Sequence, residues 1–130
     1  MTKIIVTYLI TLIAFVAIDM VWLARATYVA EIGDLLRKQP NFPAALAFYL
    51  VYAAGLVFFA VSPGLKSGSL FQTMALAAAL GFVAYGTYDL TNLSVMNGFG
   101  VKIAIIDLVW GTCLSAITSA VAYLLVSKFT

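Results

Sequence analysis

The sequence predicts an all-α integral membrane protein, an antiparallel bundle of four transmembrane helices with a short amphipathic segment between the first two. Three observations carry this. Of 130 residues, 65% are hydrophobic and only 9% are charged. Soluble domains run at about 45–50% apolar and about 25% charged, so this chain could not cover its surface in water. The apolar residues gather into four runs, each long enough to cross a bilayer, which takes roughly 20 residues at about 1.5 Å per residue. The connections between runs carry the Pro, Gly, Asn and charged residues.

The first run, near Ile4–Ala24, follows Lys3. Ala24-Arg25-Ala26 resembles a small-residue cleavage site, but the run is long for a signal peptide and contains Asp19 and Trp22, so a retained span is expected. Thr27 to Phe42 is the largest polar stretch. Tyr28, Ile32, Leu35 and Leu36 recur there at helical spacing, with Glu31, Asp34, Arg37 and Lys38 between them. That pattern suits a short amphipathic helix on the membrane surface, or a solvated connector with a few buried anchors. The second run, near Pro43–Val61, carries no charge; Tyr49 and Tyr52 lie three apart on one face. Ser62 to Ser69 reads as a turn by its Ser, Pro and Gly content.

The third run, near Leu70–Met96, is rich in Ala and Gly, which lets helices approach closely where lipid supplies no hydrophobic drive. Asn97-Gly98-Phe99-Gly100 makes a tight connection to the fourth run, near Ile103–Val126. Gly111, Ser115 and Ser119 form a small ridge there, expected to serve packing. Cys113 is the single cysteine, expected to pack as a small apolar residue and unable to form an intrachain disulfide. The whole chain, 1–130, is expected to form one membrane domain with its termini on one side.

Sidedness is weakly written. Lys3, Lys66 and Lys128 lie on the terminal side, against Arg25, Arg37, Lys38 and Lys102 on the other. The short N-terminus with Lys3 favours cytoplasmic termini. A net charge of +2, scattered along the chain, gives no footprint for nucleic acid. The absence of His removes the usual metal ligand and proton shuttle, so neither a metal nor a cofactor is expected.

The chemistry concentrates in three acids. Asp19, Asp89 and Asp107 each lie roughly 6–11 Å from the end of a span, and the alternating chain direction puts all three near the membrane face opposite the termini. Trp22, Trp110 and Asn92 each follow an acid by three residues, and Tyr85 precedes Asp89 by four, on the same face in each case. With Tyr88, and with Tyr49 and Tyr52 from the second span, they outline an acidic and aromatic pocket. Intramembrane ionisable groups are costly and point to function. Three carboxylates together in low dielectric cannot all carry charge, so the level should hold a proton, bind a cation, or pair with Arg25 or Lys102. The plainer alternative is polar glue between helices, at about 0.6–2 kcal/mol per contact.

Ile18-Asp19-Met20-Val21-Trp22-Leu23, Ala47-Phe48-Tyr49-Leu50-Val51-Tyr52-Ala53-Ala54-Gly55, Tyr88-Asp89-Leu90-Thr91-Asn92-Leu93 and Asp107-Leu108-Val109-Trp110-Gly111 together resemble a bacterial family of small four-helix membrane proteins of unknown function. The resemblance covers nearly the whole chain. It implies a multi-pass protein of the bacterial inner membrane with these acids as family features, and it implies no activity. The residues themselves favour binding or proton-coupled transport of a cation or amphiphile, for which one narrow bundle would need a homodimer. Two alternatives stand beside this: a structural subunit of a larger membrane complex, and an intramembrane enzyme that modifies a lipid or isoprenoid with an Asp as general acid.

Overall fold

The computed structural model describes residues 2–25 and 41–129. Four helices long and apolar enough to cross a membrane run through them: α1 (Thr2–Arg25), α2 (Phe42–Ser67), α3 (Leu70–Val95) and α4 (Val101–Phe129). The expected amphipathic segment lies outside the described residues, except for Asn41 and Phe42. Those two open α2. The Asn41 side chain accepts from the Ala44 amide at 3.1 Å, and Pro43 fills the first turn, where its missing N–H is no loss.

The second span is longer than its apolar run, and the turn expected over Ser62–Ser69 is mostly helix. Pro63-Gly64 looks like a breaker, yet α2 continues to Ser67. A wide π-helical turn at Val57–Val61 precedes the proline, with the Ser62 amide bonded back to the Val57 carbonyl. In an ordinary helix the Pro63 ring would press on the carbonyl four residues earlier; a widened turn just before it gives that ring room. The helix stops at Gly68, whose φ of 73° is left-handed. The amides of Gly68 and Ser69 both close on the Gly64 carbonyl, at 2.8 and 3.1 Å. Ser69 then caps α3 by accepting from the Gln72 amide at 3.0 Å.

The helices alternate in direction. Asp19 of α1 meets Tyr49 of α2 and Trp110 of α4, Tyr52 of α2 meets Tyr85 of α3, and Gly86 of α3 lies by Leu108 of α4. Gly98, at φ 88°, turns the chain between α3 and α4, and Phe99 tucks in against Ile103 and Ala104.

The packing is inverted relative to a soluble protein. Phe71, Val51 and Ile13 are 82%, 72% and 66% exposed, whereas Thr7, Thr11, Thr73, Ser115, Thr118 and Ser119 are buried. Lipid solvates the apolar exterior, and the buried hydroxyls of Thr7, Thr11, Thr73 and Ser115 donate to the carbonyl one turn back in their own helices. Small residues bring α3 and α4 together: Gly81 leaves space taken by the Gly111 carbonyl and Ser115, and the Tyr85 ring lies over Gly111. Cys113 is exposed on the outer side of α4, not packed inside as expected.

Candidate functional site

Each acid sits six residues from the end of its helix: Asp19 before Arg25, Asp89 before Val95, Asp107 after Val101. At about 1.5 Å per residue that is one shared depth of about 9 Å. On α1, Asp19 ends a buried ridge of Thr7, Thr11 and Phe15 at spacing four, so helical periodicity itself aims the acid inward.

Beside Asp19 lies a cavity of about 440 Å³ lined from all four helices. Asp19, Trp22, Tyr52, Tyr85, Tyr88, Asp107 and Trp110, all singled out from the sequence, line it. Tyr49 holds its rim by donating to Asp19 Oδ2 at 2.7 Å. Phe48, Leu23 and Ala84 complete the wall and were not assigned to the pocket from sequence. Phe48 carried a usable signal, an aromatic directly before Tyr49; Leu23 and Ala84 carried none among so many apolar residues. Asn92 is half-buried and does not line the cavity.

The partners of the acids differ from those that helical spacing suggested. Trp110 donates its indole N–H not to Asp107 on its own helix but to Asp19 Oδ1 across the interface, at 3.1 Å. Trp22 lies flat on Trp110, with centroids 4.3 Å apart and planes 7° from parallel. An i, i+3 spacing sets two residues on one face, but indole reach and interhelical contact decide who meets whom. Both oxygens of Asp19 thus accept from donors on other helices. Asp89 is the opposite case. It is 1% exposed, and no amide, hydroxyl or indole donor reaches either of its oxygens, Asn92 included. Asp107 stands beside it, close enough for the two acids to interact.

The cavity floor is ordered through Tyr52, 2.6 Å from Ser115 Oγ. Ser115 spends its own proton on the Gly111 carbonyl at 2.7 Å, so Tyr52 is the donor of that pair. Ser115 therefore does more than the packing expected of its ridge. Phe15 seals the floor, with its ring centroid 5.1 Å from Tyr52 and 5.6 Å from Tyr49. Among the described residues, no group of three His, Cys, Asp or Glu is placed to hold a metal ion.

The sequence matches the model of one family over most of its length. The family described as "Predicted membrane protein (DUF2177)" covers residues 4–124. The chain belongs to it. No curated protein and no solved structure matches the chain. Membership of this family thus agrees with the inverted packing, and both place the chain in a lipid bilayer.

Proposed function

We propose that the cavity binds an organic cation with an apolar body and that the protein carries such molecules in exchange for protons. The observation behind this is the composition of one cavity: Asp19 and Asp107 among the faces of Trp22, Trp110, Tyr52 and Tyr85. Carboxylates offer a counter-charge, and aromatic faces attract cations by about 0.5–2 kcal/mol each, more when water is excluded. An anion would be repelled by such a lining, and a neutral ligand would gain nothing from its carboxyl groups.

Proton coupling is assigned to Asp89. It touches the cavity only through Asp107, and it lacks the donors that hold Asp19. Phe15, Leu56, Ala77 and Leu114 fill the interior below the cavity. A passage through one bundle would therefore require repacking, and we assign transport to a homodimer. We also place the protein in the bacterial inner membrane with both termini cytoplasmic, following Lys3, so the cavity would face outward.

Both tryptophans of the chain line the cavity, so tryptophan emission, excited at the red edge where tyrosine does not absorb, reports on it alone. Titration of the full-length protein in detergent with benzyltrimethylammonium should shift or quench that emission saturably. The neutral tert-butyl analogue of the same shape should not. Equal responses to the two would overturn the reading, as would full retention of cation binding in Asp107→Asn.

A further inference from the structure

We propose that a second, independent site near the termini holds one anionic phospholipid, with its phosphate at Lys66 and an acyl chain along the groove between α1 and α2. The groove has a volume of about 670 Å³ and is lined by Ile5, Tyr8 and Leu9 of α1 and by Val57, Phe58 and Lys66 of α2. It draws on only two helices and lies at the end of the bundle away from Asp19, so it shares nothing with the acidic cavity.

Its shape follows from the π-helical turn. A widened turn bulges the backbone at Val57–Val61, and such turns often mark functional positions. Here the bulge carries Phe58 outward, 73% exposed, as one wall of the groove, with Phe59 packed edge to face behind it. From Ala54, at the deep end, to Lys66 the helix rises about 18 Å, close to the roughly 15 Å of hydrocarbon in one leaflet. The groove is thus as long as one acyl chain, apolar along its length and cationic at its mouth.

Charge selects the headgroup. Lys3, Lys66 and Lys128 all sit at this end of the bundle, at the start of α1 and the ends of α2 and α4. Among the described residues the acids are Asp19, Asp89 and Asp107, all toward the opposite end. A lysine near the membrane surface favours anionic lipid about five-fold. Lys66 alone of the three lines the groove, and the Tyr8 hydroxyl is turned away from it, donating to the Leu50 carbonyl at 2.9 Å.

The test uses delipidated full-length protein given equal parts of phosphatidylglycerol and phosphatidylcholine, with retained lipid per chain read by native mass spectrometry. Wild type should keep phosphatidylglycerol preferentially. Lys66→Gln should lower that preference about five-fold, and Lys128→Gln should leave it unchanged. Leu9→Trp, which fills the groove without touching the lysine, should lower retention of both lipids. Equal retention of the two lipids by wild type would overturn the proposal. So would equal losses in the two lysine variants, which would mean diffuse surface attraction, or unaltered retention in Leu9→Trp, which would put the chain elsewhere.

Discussion

Trp110 on α4 donates to Asp19 on α1 at 3.1 Å, while Tyr49 on α2 donates to the other oxygen of the same carboxylate at 2.7 Å. One acid therefore ties three helices together at the wall of the cavity. A carboxyl group bonded on both oxygens is fixed in place at the cavity wall and is not free to turn away.

That tie gives a first prediction. Trp110→Phe and Tyr49→Phe each keep an aromatic ring and remove one donor. Each should destabilise the fold by about 1 kcal/mol, the usual scale of an interhelical hydrogen bond. The double variant should lose less than the sum, because both donors hold one side chain and losing the first already frees Asp19 to turn away from the second. Thermal unfolding in detergent, run as a double-mutant cycle, measures the coupling. Strict additivity would mean that the two bonds act separately.

Asp89→Asn should leave insertion and folding intact. The side chains are nearly the same size, and the asparagine amide can still bond the Asp107 carboxyl that neighbours Asp89. Under the proposed function, equilibrium binding of benzyltrimethylammonium should stay within about three-fold of wild type, under 1 kcal/mol. Uptake driven by a pH gradient into proteoliposomes should vanish. Loss of binding together with uptake would make Asp89 part of the binding site and not of the coupling.

The four spans, their alternation and the common depth of the acids were all legible in the sequence, because bilayer thickness fixes span length and the connections carry turn chemistry. Most of the cavity lining was legible as well, since intramembrane acids, indoles and phenols stand out against Leu and Ala. The cross-helix pairing of Trp110 with Asp19 was not. Sequence spacing reports neighbours within a helix, whereas the rotation of α4 against α1 that brings Trp110 to Asp19 arises only in the assembled bundle. The continuation of α2 through Pro63 was hidden for a different reason. Proline normally ends a helix, and the widened turn that accommodates it leaves no mark in Val57-Phe58-Phe59-Ala60-Val61.

The end of α2 gives a third prediction. Gly68 has open space around the position of a Cβ, so a side chain there meets nothing, but its φ of 73° is left-handed. Gly68→Ala should therefore cost about 1 kcal/mol through the backbone alone. Gly68→Asn, which tolerates that conformation better, should recover part of the loss. A fully stable Gly68→Ala would show that the chain can leave α2 by another route.

Three other glycines separate close packing from helix propensity. At Gly81 an added Cβ would collide with the Gly111 carbonyl and Ser115, and at Gly111 with the Tyr85 ring. The first collision involves backbone, which cannot swing aside, and the second involves a ring that lines the cavity. At Gly55 the nearest atom is Leu80 Cδ2 at 3.8 Å, an ordinary contact. Gly55→Ala should thus be neutral or stabilising by up to about 1 kcal/mol, since alanine is the better helix former. Gly81→Ala should cost about 1–3 kcal/mol as α3 and α4 are pushed apart. Gly111→Ala should cost less in stability but displace Tyr85 into the cavity, weakening binding of benzyltrimethylammonium more than it weakens the fold. Unfolding midpoints and fluorescence titrations on the three variants separate these effects. Equal behaviour of Gly55→Ala and Gly81→Ala would mean that the α3–α4 contact is looser than its glycines require.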